Sequence, residues 1–151
     1  MTRIHLATAL VRRGNDVLLV ASRYPNHATP LWNLPGGRQQ PGELLAHTAV
    51  RELHEETGMH GTVRELCYVS ESYDAQMHFT NFTFAIDAAG EPAPPVLEGD
   101  HVVHCAWVAE SALAERIAVA VVRDPLLSFL NGTLPRYAGY PDAGISIEFP
   151  D

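Results

Sequence analysis

Residues 36–59 read GGRQQPGELLAHTAVRELHEETGM, and this stretch limits the fold more than any other part of the chain. Gly36-Gly37 is a bend whose backbone can approach another group closely. Pro41-Gly42 is a turn, the spacing after it predicts a helix over Leu44 to Thr57, and Gly58 stands where a left-handed cap belongs. At about 100° per residue, Ala46, Ala49, Val50, Leu53 and Thr57 share a narrow face suited to packing on a sheet. Glu52, Glu55 and Glu56 share a second face as an i, i+3, i+4 triplet. Like charges so spaced destabilise the helix that carries them, so something must offset the repulsion. Two readings fit the bare run ELHEE. It is a solvated acidic face, as charge runs usually are, or it is a cage for a hard divalent cation such as Mg²⁺ or Mn²⁺, which prefer oxygen ligands. Arg51 adjoins Glu52 and follows Glu43 by eight residues, so its guanidinium can pair with a carboxylate and hold the helix start against the glycine bend.

The flanking segments predict a mixed sheet covered by helices. Ile4 to Val11 and Val17 to Ser22 read as strands joined by the turn RRGND. LWNLPGG is a short extended piece. Val63 to Tyr73, Met77 to Ile86 and Val102 to Val108 read as further strands, with Phe82 and Phe84 on one face. Ala109 to Arg116 and Ala118 to Leu130 read as helices. The tail, residues 132–151, is rich in Gly and Pro. Its ISIEF alternates apolar and polar residues, which suits an edge strand, a crossing to a second subunit in a homodimer, or a poorly ordered end. We find no repeat and no interdomain linker, so residues 1–151 are expected to form one domain.

Composition excludes several classes. With 46% hydrophobic and 19% charged residues the chain resembles an ordinary globular protein. No apolar run is long enough to span a bilayer, and the N-terminus does not read as a signal peptide. The formal net charge of -8 argues against a basic nucleic-acid-binding face. The ten Lys and Arg residues are all arginine, so any phosphate contact from a long cationic side chain uses a guanidinium. Cys67 and Cys105 lie in apolar surroundings and read as thiols of a reducing cytoplasm.

Gly37, Glu43, Arg51, Glu52, Leu53, Glu55, Glu56, Gly58 and Met59 follow the spacing G-x5-E-x7-R-E-U-x-E-E-x-G-U, where U is a bulky apolar residue. This resembles the complete signature box of the Nudix hydrolase superfamily. The resemblance implies an α+β fold, an α/β/α sandwich with a mixed central sheet, in which the box forms a loop-helix-loop. It implies a cytoplasmic, Mg²⁺-dependent enzyme, with Mn²⁺ as a substitute metal. Such enzymes hydrolyse a nucleoside diphosphate linked to a group X. On this likeness Glu55 and Glu56 are principal metal ligands, Glu52 a further ligand or the general base, and the carbonyl of Gly36 or Gly37 completes the shell. Glu43 and Arg51 form an orienting ion pair and Gly58 closes the helix.

Many members also use a glutamate six residues before a Trp-Val pair. Here Trp107-Val108 has His101 at that place, flanked by Glu98 and Asp100. Glu98 is the expected second catalytic carboxylate, with Asp100 the next candidate and His101 expected to be solvent-exposed. Subfamily markers are mostly absent. Ala75 stands where ADP-ribose hydrolases tend to carry proline, and Tyr73 falls slightly before the tyrosine of diadenosine polyphosphate hydrolases. The remaining likeness is to the MutT-like group, which acts on nucleoside triphosphates. Its rivals are a nucleotide-sugar or ADP-ribose hydrolase and a non-catalytic nucleotide-binding module. The expected partner is a small nucleotide, with no nucleic acid and no membrane. Arg23 and Arg38 are candidate phosphate contacts, against the alternative of uncommitted surface arginines. Tyr73, Phe79 and Phe82 are candidates for stacking on a base, against core packing. Trp32 is expected to be structural.

Overall fold

The computed structural model describes residues 1–95, 101–133 and 136–148. In chain order the elements are β1 (Thr2–Leu10), β2 (Arg12–Arg13), β3 (Asp16–Ser22), β4 (Leu31–Asn33), β5 (Gly36–Arg38), α1 (Leu45–Thr57), β6 (Gly61–Tyr73), β7 (Met77–Ala88) and β8 (Val102–Ala109). A 3₁₀ turn (Glu110–Ala112), α2 (Leu113–Arg116), α3 (Ala120–Leu130) and β9 (Tyr137–Tyr140) follow. One sheet has the order β5-β1-β7-β6-β9. It is mixed, because β1 runs parallel to β7 and β6 parallel to β9, while its other pairs are antiparallel. In the second sheet β3 pairs with β2, β4 and β8, all antiparallel.

Strand alternation sorts side chains onto two opposite faces. Ala7, Ala9, Val11 and Leu18 turn toward α1, where they meet Ala49, Leu53 and Ile86 in one buried cluster. Leu10, Val17 and Leu19 turn the other way, toward Leu113, Ile117 and Leu126 of the late helices. The result is the three-layer α/β/α sandwich that the resemblance implies.

Several boundaries differ from the sequence expectation. LWNLPGG is not one extended piece: β4 belongs to the second sheet and β5 to the first, so Leu34-Pro35 carry the chain between them. The segment 109–116 divides into a 3₁₀ turn and a single helical turn. The described part of ISIEF, residues 145–148, forms no strand. The edge strand comes instead from Tyr137–Tyr140, parallel to β6, while residues 145–148 join no ladder. On α1, Val50 is only partly covered, whereas Thr48 and Glu56 are buried. Thr48 is buried because its hydroxyl donates to Glu43 at 2.7 Å. Trp32 lies between His104, stacked at 6.4 Å, and the Arg116 guanidinium at 4.9 Å, in keeping with a structural role.

Candidate active site

The helix α1 lacks a side-chain cap at Leu44. Glu43, one residue earlier, takes over that end. Its carboxylate accepts from the Gln40 N–H at 3.1 Å and the Thr48 hydroxyl at 2.7 Å. Arg51 Nε and Nη2 then donate to both its oxygens, at 2.7 and 3.1 Å. These bonds hold the Glu43 carboxyl well below its ordinary range, at about 2, with the Arg51 hydrogen bond the largest cause. The same guanidinium reaches Glu52 at 2.9 Å, Glu55 at 3.1 Å and the Arg38 carbonyl at 3.0 Å. Much of the repulsion expected on the acidic face is therefore offset within the chain. At the other end Gly58, at φ 76°, donates its N–H to the His54 carbonyl.

Glu52 and Glu56 face a cleft of about 730 Å³, alongside Gly36 and Gly37. Both glycines are required by close approach. A Cβ on Gly37 would stand 2.5 Å from the Glu52 carboxyl, and one on Gly36 would stand 2.5 Å from the Ala7 carbonyl. Glu56 is buried and accepts the Gly36 N–H at 2.8 Å. His101 Nε2 lies 4.0 Å from its other oxygen. Burial pushes the Glu52 carboxyl above its usual value, partly opposed by Arg51. Burial, with the Glu56 charge beside it, pushes the Tyr24 hydroxyl up to about 12.

The structure brings together only part of the expected set. Glu52, Glu56, Gly37, Arg38 and Phe79 line the cleft. Glu55 does not: it is exposed and turned to Arg51, so among the described residues no three acidic, histidine or cysteine side chains converge as a metal cluster. Arg23 and Tyr73 also lie off the cleft. Arg23 is exposed and its backbone N–H donates to the His101 carbonyl, while Tyr73 stacks on His78 at 4.1 Å. Phe82 points to the opposite face of β7, edge-on to His5. Glu98 and Asp100 lie outside the described residues. His101 is not the solvent-facing residue expected; it is half-buried and lines the cleft.

Sequence reasoning missed the cleft's other walls. Asn81 donates to the Thr8 and Thr83 hydroxyls at 3.2 Å, those hydroxyls share a 2.7 Å bond, and the Asn81 carbonyl oxygen is buried without a hydrogen-bond partner among the described residues. The signal was present, since Asn81 and Thr83 put polar groups on one face of a strand whose other face is Phe82, Phe84 and Ile86. Tyr24 carried no comparable pattern, and the alternation of ISIEF did not say what Ile145 and Ile147 face.

Comparison with known proteins identifies the class. The NUDIX domain family model matches residues 2–128, and the chain belongs to that family. A Bacillus subtilis (strain 168) protein provisionally named 8-oxo-dGTP diphosphatase is 56% identical over 49 residues, covering 32% of this chain and 30% of the relative. The ADP-ribose pyrophosphatase of Methanocaldococcus jannaschii is 33% identical over 92 residues, covering 58% of this chain and 54% of the relative. The crystal structure of the MutT protein from Methanosarcina mazei Go1 superposes with a TM-score of 0.74 at 20% identity, covering 87% of this chain and 95% of that one, which is a likeness of fold. The chain spans about half the length of the curated relatives it matches, or less. Among the described residues no helix is long and apolar enough to cross a membrane.

Proposed function

We propose that the protein is a Mg²⁺-dependent pyrophosphohydrolase of nucleoside diphosphates linked to X, acting in the cytoplasm on a nucleoside triphosphate to release the monophosphate and pyrophosphate. The observation that carries this reading is the placement of Glu52 and Glu56, one helical turn apart, beside the Gly36–Gly37 bend at a cleft large enough for a nucleotide. Their donor set suits a divalent cation: all the candidate ligands are hard oxygens, two of them on side chains shielded from bulk water. Glu52, Glu56 and a carbonyl of the glycine bend would hold the ion, and Glu55, held here by Arg51, is the further candidate ligand. A bound Mg²⁺ neutralises phosphate charge and lowers the pKa of coordinated water.

The protein's own groups do the rest. Arg51 fixes Glu52 by a charge-assisted bond and ties α1 to the backbone after the bend. Glu52 is a further ligand or, in the alternative, the general base, a role its burial favours by raising its carboxyl above the usual value. Arg38 lines the cleft, which supports reading it as a phosphate contact.

The test is a panel of nucleoside triphosphates, nucleotide sugars and ADP-ribose, incubated with Mg²⁺ and read out as the identity of the released phosphates. Pyrophosphate from a triphosphate supports the reading. Turnover of ADP-ribose alone replaces it with the second hydrolase class, and no turnover of any member points to a binding module. Glu52→Gln should lower kcat by about 10³-fold with the fold intact; unchanged turnover would remove Glu52 from the chemistry.

A further inference from the structure

Residues 136–148 lie beyond residues 2–128, the region matched by the family model. After β9 the Asp142 carboxylate accepts the Gly144 N–H at 2.9 Å and Gly144 turns the chain at φ 72°. Ala143 donates its N–H to the Tyr73 carbonyl at 2.8 Å, which fixes this end at the tip of β6. The segment then crosses to the loop that follows β3. There Asn26 grips it twice: Nδ2 donates to the Ser146 carbonyl and Oδ1 accepts the Glu148 N–H, each at 2.8 Å. His27 Nε2 lies 2.8 Å from the same Ser146 carbonyl. An amide that gives and takes in this way stands in for a neighbouring strand's backbone. The segment is thus a strap held at the tip of β6 and on the loop that follows β3.

Its residues alternate. Ala143, Ile145 and Ile147 line the cleft, while Ser146 and Glu148 are exposed. The strap brings only apolar side chains to that wall, so it has nothing to offer a phosphate, and burying a charged oxygen against it would be costly. Phe79 lines the same cleft.

We propose that the strap is a specificity element, in which Ile145 and Ile147 hold the flat non-phosphate group of the substrate, its base, against the cleft. This rests on the nucleotide reading above for the identity of the ligand, and the test separates the two. Wild type, Ile147→Ala, Asn26→Ala and the control Ser146→Ala are compared by steady-state kinetics with Mg²⁺. The substrates are the four common nucleoside triphosphates, ADP-ribose, and methyl triphosphate, which has the anhydride and no base. Equilibrium dialysis with the α,β-methylene analogues of the same nucleotides gives Kd directly.

Ile147→Ala and Asn26→Ala should raise KM and Kd for the preferred nucleotide about tenfold, the scale on which apolar pockets discriminate. kcat should change little, and KM for methyl triphosphate should move by less than about twofold. Ser146→Ala should match wild type. Equal shifts for the nucleotide and for methyl triphosphate, or no shift for either, overturn the proposal. If wild type binds an analogue but hydrolyses nothing, the hydrolase reading fails and the Kd ratios alone decide the strap. If no nucleotide binds, both fail. The strap lies outside both buried clusters, so thermal melts of the variants should stay near wild type; a collapsed melt for Ile147→Ala leaves the decision to Asn26→Ala.

Discussion

Gly37 and Glu43 do different work within one motif. The Gly37 Cα faces the Glu52 carboxyl so closely that a methyl group must displace it. Gly37→Ala should therefore cost about 100-fold in kcat/KM, the scale of a roughly 1 Å misplacement, while stability changes little, because a side chain can yield. Gly36→Ala meets backbone at the Ala7 carbonyl, which cannot yield. It should destabilise by about 2 kcal/mol in urea titrations. Glu43 acts through charge. Its folded pKa is depressed from 4.5 to about 2, so its contribution to stability is full above pH 4.5 and is lost as the pH falls through 2. Glu43→Gln should destabilise by about 2 kcal/mol at pH 7. That difference from wild type should shrink between pH 4.5 and 2; a difference independent of pH would remove the ion pair as its cause.

The helix α1 carries the site as an element, and it was the most legible part of the chain. Its ends, its cap and its packing on the sheet through Ala49 and Leu53 all follow from spacing and punctuation. Two of its features were not legible. Helical angles alone placed Glu56 with Glu52 and Glu55 on one acidic face. They could not say that the Gly36 N–H reaches Glu56 and draws it into the fold while Arg51 holds Glu55 outside. The cleft walls were harder still, because Thr8 meets Thr83 across 75 residues of sequence and no local pattern reports such a pairing. ISIEF showed its alternation plainly. What it packs against was hidden, since a period of two is shared by ladder strands and by any extended chain with one covered face. On metal binding, the buried pair Glu52 and Glu56 should gain more than Arg51 alone provides. Mg²⁺ at about 100 times its Kd should stabilise by roughly 3 kcal/mol, raising Tm by about 5–10 °C. Glu56→Gln should abolish most of that rise.

At the scale of the whole molecule, the site is assembled where two sheets and two helical layers meet. Its floor comes from β1 and β7, its acidic wall from α1, and its apolar wall from the strap. No one segment is sufficient. Leu34-Pro35 join strands of the two sheets, and the strap ties the tip of β6 to the loop after β3.

The parallel pairing of β1 with β7 has a consequence in time. The hydrogen bonds within α1 are local and can form early, whereas the Gly36–Gly37 bend is placed by β1, and β1 pairs with residues 75 positions further on. Closing so long a loop is slow compared with helix formation. During refolding from urea, helical ellipticity should therefore return ahead of turnover, and activity becomes a clock for the last long-range pairing rather than for collapse.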